Sequence, residues 1–355
     1  MDPKHDAAEL KRQIAKIDEE IRERLDARAR LSREIHGRLE AQPVTLDAGD
    51  REWLERVVQG SSGDMPDTSL RLIFETIRAA GRAIEQPVRV AYLGPEGAFC
   101  HGMTKSYFGA TSTLIECADV ADALAEVERG RAAFATFPFE SSVDGLVQTS
   151  VTALAATELV MVGERALPAI FQLMGSMGAI DDVEKVYATP VAHAACQRFL
   201  DKELPRVTVI DVRSATVAAE LAGEDETSAA VVPEACGRER ALDVLRANVG
   251  DVADVKIRYG IASARPAARS GSDQTCLLFS VDDSPGALFD VLRHFAERGI
   301  NLKRLHSRPV QREAWDYVFY VEIGGHVSER HLITALEAVK RGTKYLKVLG
   351  SYPVS

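Results

Sequence analysis

The side chains able to do chemistry here are few, and the first of them interrupts a regular pattern. From residue 7 to 40, Leu10, Ile14, Ile17, Ile21, Leu25, Ile35 and Leu39 advance by threes and fours, the helical period. Position 28 falls on the same seam and is Arg28. Burying a guanidinium is costly unless its donors are paired, so Arg28 is either salt-bridged to a glutamate of a neighbouring helix or waiting for an anion. Further on stand a Gly94-Pro95-Glu96-Gly97 turn with His101, a Glu140-Ser141-Ser142 run, and Arg258 between Ile257 and Tyr259. A lone histidine such as His101 is more often structural than catalytic. The five cysteines, Cys100, Cys117, Cys196, Cys236 and Cys276, have no CxxC spacing. They read as reduced, buried thiols of a cytoplasmic protein, with no disulfide framework, metal site or cofactor. The formal net charge of -10 argues against broad binding to nucleic acid or an anionic membrane. A local arginine pocket can still oppose that global sign and take an anionic substrate.

The elements that must position these groups follow from changes of pattern. At 355 residues, 46% hydrophobic and 27% charged, the chain predicts two or three domains with sizeable cores. A helix over 7–40 would be about 50 Å long at ~1.5 Å per residue, and it needs partners along its length, in a helical hairpin or a dimer. Shorter helices are predicted near 49–59 and 68–85, separated by GSSGDMPD. At residue 88 the pattern changes to VRVAYLG, and strands and helices then alternate through AAVVP, the signature of α/β architecture with mostly parallel strands. Within it VAHAACQRFLDKEL reads as one helix. The loop ASARPAARSGSD (262–273) marks a domain boundary. A βαββαβ pattern of the ferredoxin-like kind follows. No stretch approaches the ~20 apolar residues of a membrane span, and MDPKHDAAELKRQ has no apolar core of the secretory type.

The segment from Leu10 to Glu85, with Ile17-Asp18, Arg51-Glu52 and the helix containing Phe74, resembles the three-helix, dimeric chorismate mutase domain. In that family catalysis is positioning: cationic side chains hold two carboxylates, and donors stabilise charge on the ether oxygen. The resemblance implies catalytic roles for Arg28, Arg51, Glu52 and Glu85, and a substrate contact for Lys11, which stands where an arginine reaches into the partner's site. Leu39 stands where a lysine is usual, Ala48 replaces an aspartate, Gly81 a serine and Glu85 a glutamine. A glutamate at that last position donates only when protonated.

Residues 88–262 resemble prephenate dehydratase, through YLGPEGAFCH, PFESSVDG, VYATPVAHAAC and VKIRYGIAS in that order. The resemblance implies two α/β lobes, periplasmic-binding-protein-like, with the site in the cleft between them. Its reaction expels CO2 and a ring hydroxyl, so a donor must stand near the hydroxyl. The family's threonine-arginine-phenylalanine triplet is here Ile257-Arg258-Tyr259, and isoleucine has no proton to give. An asparagine is replaced by Ser141, while Ala98, Ala188, Thr189 and Ala195 stand at further polar positions. Implied site residues are Glu140, Ser141 and Arg258 for catalysis, with Thr189 and Ser214 for substrate binding.

Residues 273–353 resemble the phenylalanine-sensing ACT domain of this family. Gly286, Ala287 and Leu288, in the loop opening the first helix, and Asn301, Ser307 and Arg308, on the effector strand, are the implied effector contacts. His306 stands in place of the motif's glutamate. ACT domains pair side by side, so this segment and the long helix both imply a homodimer or larger.

The expected division is therefore a helical mutase-like domain (1–86), a dehydratase-like body (88–262) and an ACT regulatory domain (273–355). The nominal function is chorismate to prephenate to phenylpyruvate in phenylalanine biosynthesis, with eroded catalytic residues and phenylalanine or a similar amino acid as effector. The alternatives are a repurposed enzyme acting on a prephenate-like acid in secondary metabolism, and a non-catalytic ACT-containing sensor.

Overall fold

The computed structural model describes residues 3–38, 49–60, 64–85, 88–109, 112–309 and 317–354. The chain divides into two compact units, one drawn mainly from residues 1–88 and the other mainly from 113–355.

The first unit is helical: α1 (Pro3–Arg38), α2 (Gly49–Gln59) and α3 (Asp67–Glu85). Helix α2 is tied to α3 by a two-pronged Arg71–Glu55 ion pair (2.8 and 2.9 Å) and by an edge-to-face contact of Trp53 with Phe74. Arg28 of α1 reaches α3, donating to the Ile77 carbonyl at 3.5 Å. Leu10, Ile14, Ile17, Ile21 and Leu31 of α1 are each more than half exposed.

In the second unit the alternation expected from residue 88 onward is present, but its strand pairing is mixed and not mostly parallel. The first lobe contains β1 (Arg89–Leu93), α4 (Phe99–Phe108), β2 (Thr113–Cys117), α5 (Val120–Glu128), β3 (Phe134–Ser141), β4 (Gly145–Leu146), α6 (Gln148–Ala156) and β5 (Val160–Pro168). Helix α5 shows why the segments settle as they do. Val120, Ala123, Leu124 and Val127 form its buried stripe, and the Asp119 side chain accepts from the Asp122 N–H to cap its start. The second lobe has β6 (Phe171–Gly175), β7 (Lys185–Ala188), α7 (Pro190–Ala195), α8 (Gln197–Glu203), β8 (Thr208–Asp211), α9 (Ala215–Glu224), β9 (Ser228–Pro233), α10 (Glu234–Arg238) and β10 (Asp243–Arg246). Its sheet runs β10-β6-β9-β7-β8. The chain then returns to the first lobe as β11 (Lys256–Ser263), inserted antiparallel between β3 and β5.

VAHAACQRFLDKEL departs from the single helix read in the sequence. It breaks at Cys196 (φ -122, ψ 13), because the Asp251 carboxylate accepts from the N–H groups of Arg198 and Phe199 and caps α8 as a new helix.

The C-terminal part supplies β12 (Asp273–Ser280), α11 (Ala287–Ala296), β13 (Leu302–Pro309), β14 (Tyr317–Gly324), α12 (Arg330–Arg341) and β15 (Tyr345–Pro353), in the expected βαββαβ order. Its antiparallel sheet, β13-β14-β12-β15, continues into the body through a parallel pairing of β15 with β5 at Gly350 and Met161, within one ten-stranded sheet. Both faces of β12 and β14 are used. Leu277, Phe279, Val321 and Ile323 pack with α11 and α12, while Cys276, Leu278 and Tyr320 join Phe137, Phe139 and Met161 in the core of the body. The architecture is thus multidomain α and α/β: a helical part, a two-lobed α/β body and a ferredoxin-like ACT part.

Candidate functional site

The opening motif of the body forms the turn after β1. Gly97 has φ +80, and a Cβ there would lie 2.6 Å from Thr216 Oγ1 and 2.7 Å from Cys236 Sγ. Only glycine allows this approach of the first lobe to α9 and α10 of the second. The Gly97 N–H donates to Nδ1 of His101 at 3.2 Å, which fixes that nitrogen as an acceptor and requires the neutral ring. Burial lowers the pKa of His101, outweighing the nearby charge of Glu96. The ring lies beside Tyr92, whose hydroxyl donates to Glu116.

Ser141 ends β3 and pairs with Ile257 of β11. Its Oγ accepts from the N–H groups of Val143 (3.2 Å) and Asp144 (3.4 Å), shaping the turn into β4. Ser142 exchanges two hydrogen bonds with the Lys256 backbone, at 2.9 and 3.0 Å. Across the lobe boundary, Thr189 follows β7 and caps α7, and Ser214 caps α9. Each hydroxyl accepts a backbone N–H and keeps its own proton to donate. Gly97, Ser141, Thr189 and Ser214 therefore all stand at or just beyond the carboxyl ends of strands that have a parallel neighbour, where open α/β sheets hold ligands. At Ile257 the only side-chain chemistry offered is apolar contact.

Arg258 and Glu140 form a different arrangement. Successive residues of a strand point to opposite faces, and Arg258 faces away from Ile257, toward β14. Its guanidinium meets Glu140 (2.9 Å), Glu164 of β5 (2.8 Å) and Glu322 of β14. Burial by itself lowers the guanidinium's pKa, but the hydrogen bond with Glu322 and the charges of Glu164 and Glu322 reverse this and raise it. Arg304 of β13 also bridges Glu140 and Glu322, and His306 Nε2 lies 3.6 Å from Glu140. The Tyr320 hydroxyl donates to Glu322, and that of Tyr352 donates to Glu164 at 3.0 Å. Arg258 is only 6% exposed, and both its terminal nitrogens already face protein carboxylates. This occupancy counts against the substrate-carboxylate role implied for it. Glu164, Arg304 and Glu322 were not singled out in the sequence. The available signal was a glutamate inside the apolar strand YVFYVEI.

In the helical unit, Arg28 is half-buried and Lys11 exposed. A Cβ on Gly81 would fall 2.7 Å from Arg28 Nη1, so the guanidinium lies where a serine side chain would begin. The side chains of Arg51, Glu52 and Glu85, and positions Leu39 and Ala48, lie outside the described residues. In the ACT part, Gly286 is left-handed (φ +86) immediately before α11, which opens with Ala287 and the half-buried Leu288. Asn301 and Ser307 are exposed, and the side chain of Arg308 lies outside the described residues. All five cysteines are free and buried, with burial pushing the thiols of Cys100 and Cys276 up to about 12. Among the described residues no group of His, Cys, Asp and Glu is arranged to hold a metal ion, and no helix is long and apolar enough to cross a membrane.

The prephenate dehydratase family matches residues 90–267, and the ACT domain family matches residues 277–341. Prephenate dehydratase of Arthrobacter aurescens, solved in complex with L-Phe, is 30% identical, with a TM-score of 0.65 over 75% of this chain and 90% of that one. GqqA, a quorum-quenching acylase, is 28% identical, with a TM-score of 0.64 over 75% of this chain and 98% of its own. The bifunctional chorismate mutase/prephenate dehydratase of Aquifex aeolicus is 36% identical over 352 residues, 97% of each chain. With helical, dehydratase-like and ACT parts in that order and a match of this extent, the chain belongs to the bifunctional chorismate mutase/prephenate dehydratase family.

Proposed function

We propose that this protein converts chorismate to prephenate in its helical part (1–86) and prephenate to phenylpyruvate in its two-lobed body (88–262). The ACT part (273–355) then senses L-phenylalanine or a similar amino acid. The reading extends to a cytoplasmic homodimer or larger assembly acting in phenylalanine biosynthesis. One observation carries it: Gly97, Ser141, Thr189 and Ser214, drawn from both lobes, stand at or just beyond strand carboxyl ends in a chain aligned end to end with a bifunctional relative.

For the dehydration, the ring-to-carboxylate bond breaks and its electron pair enters the ring. The ring expels the hydroxyl, which takes up a proton and leaves as water. CO2 and phenylpyruvate remain. Ser141, Thr189 and Ser214 are the hydroxyls available to orient the substrate, and no side chain at position 257 can protonate the leaving oxygen. In the mutase, Arg28, Arg51, Glu52, Glu85 and, from a partner subunit, Lys11 are the assigned site residues. Gly286, Ala287, Leu288, Asn301, Ser307 and Arg308 are assigned to the effector.

Ile257 also favours a second reading, in which the body acts on a prephenate-like acid without full aromatisation. The fold permits other chemistry, since the similar GqqA is an acylase. Incubation with chorismate and with prephenate, and identification of products by mass, separates the two. Phenylpyruvate supports the first reading. A product that keeps the ring hydroxyl or the carboxylate supports the second. Unaltered substrates would leave only the sensor.

A further inference from the structure

We propose that Glu322 and Arg304, both on the ACT sheet, are positioning residues of the dehydratase site, acting through Arg258 and Glu140 on the facing pair Ile257 and Ser141. The inference rests on the dehydratase reading above and deepens it.

Three carboxylates, Glu140, Glu164 and Glu322, converge on the single guanidinium of Arg258. Their side chains are 13%, 8% and 1% exposed, so water can do little to screen them. Such a group persists only if its members are held in good geometry and their polar atoms are used. Most are, Arg258 Nε being the one buried donor of the cluster left without a partner among the described residues. Glu322 accepts from Arg258 and Tyr320 on one oxygen and faces Arg304 Nε at 3.2 Å with the other. Glu164 accepts from Arg258 and Tyr352, and Glu140 meets Arg258, Arg304 and His306. The Arg258 side chain is further stacked over the Phe139 ring, 5.4 Å from its centroid.

Arg258 pairs with Glu140 and Ile257 with Ser141 at adjacent positions of the same β11–β3 ladder, and the register shifts immediately after, between Arg258 and Tyr259. One face of this two-residue step carries the charge cluster and the other carries the dehydratase-motif pair. A bulged ladder has local freedom to twist. What fixes the step is the grip on Arg258 and Glu140, and half of that grip belongs to Glu322 and Arg304. The ACT part is therefore a structural component of the site, whether or not an effector is bound.

The test uses the full-length chain. Glu322→Gln keeps the shape and removes one charge, while Glu337→Gln, on an exposed ACT position, is the control. Prephenate turnover and calorimetric prephenate binding are measured at a temperature well below the melting transition of each variant. The expected result is a fall in kcat of about tenfold for Glu322→Gln, below the ~100-fold that a full 1 Å misplacement can cost, with KM and binding within about twofold of wild type. The control should be unchanged. Combining Glu322→Gln with Arg258→Met should give less than the product of the separate losses, because both act through one relay. Should Glu322→Gln fail to fold, Arg304→Gln, whose native side chain is 42% exposed, should lower kcat in the same direction. A folded Glu322→Gln or Arg304→Gln with wild-type kcat and KM, or independent multiplicative losses, overturns the proposal alone. A wild-type protein that neither binds nor turns over prephenate overturns the dehydratase reading and this inference with it.

Discussion

Ile257 is the residue on which the chemistry turns. A missing general acid costs about 10²–10⁴-fold, so from a turnover near ~10 s⁻¹ the wild type would be left with about 0.1 to 0.001 s⁻¹. Ile257→Thr keeps the β-branch, is smaller by one heavy atom and places a hydroxyl opposite Ser141. It should raise phenylpyruvate formation about tenfold and no further, since Ser141 and Ala195 also differ from the family pattern and residues of one site act non-additively. An ordinary wild-type rate that the substitution leaves unchanged would mean that another group supplies the proton. His101 makes a second prediction at this scale. Folding lowers its pKa from the ordinary 6.5, so the unfolded chain takes up the proton first. The stability that His101 contributes is complete above pH 6.5 and is lost as pH falls below it toward the folded value. In paired melts of wild type and His101→Gln, the gap should narrow between pH 8 and pH 5. Parallel curves would show that the Gly97–His101 bond does not stabilise the turn. Sequence reading located Glu140 and Arg258 but assigned both to the cleft. It had no access to the strand parity that turns them away from Ile257, nor to the partners Glu164 and Glu322, which lie 94 and 64 positions away.

The elements show the same division between local and distant causes. The alternation of strand and helix patterns made α5 and the C-terminal βαββαβ order legible, because those signals lie within a few residues of the structure they cause. The break between α7 and α8 was not legible, because the cap comes from Asp251, over fifty positions beyond Arg198. The loop 262–273 marks a change of composition, yet the strands on either side of it join one sheet. That junction depends on Gly350, where a Cβ would lie 2.1 Å from the Met161 carbonyl oxygen and 2.7 Å from its nitrogen. Both are backbone atoms and cannot swing aside. Gly350→Ala should cost about 1–3 kcal/mol or more, the range of overpacked cores, and should speed proteolysis within 264–272. A melting temperature equal to that of wild type would show that β15 and β5 can part without consequence.

At the scale of the whole molecule, the question is what covers α1. Over 36 residues it extends about 54 Å at ~1.5 Å per residue, and most of its apolar stripe is left open by the chain's own packing. A fully buried leucine or isoleucine contributes about 1.5–3 kcal/mol. Leu10, Ile14, Ile17, Ile21 and Leu31 are 51–60% exposed, so covering the remainder on two copies contributes about 8–17 kcal/mol, on the scale of the roughly 4–15 kcal/mol that association costs. Lys11 points the same way, being exposed at the position where the resemblance puts a residue that reaches into a partner's site. A second copy is accordingly the expected cover. Light scattering should give at least twice the 38.7 kDa of one chain. Ile14→Glu combined with Ile17→Glu places like charges along the paired stripes and should reduce the mass to that of one chain, with chorismate turnover lost and the melting of the α/β unit retained. If the double variant keeps the wild-type mass, the contact lies elsewhere. The outer ACT strand β13, at the end of the long sheet, would then be the edge on which to repeat the experiment.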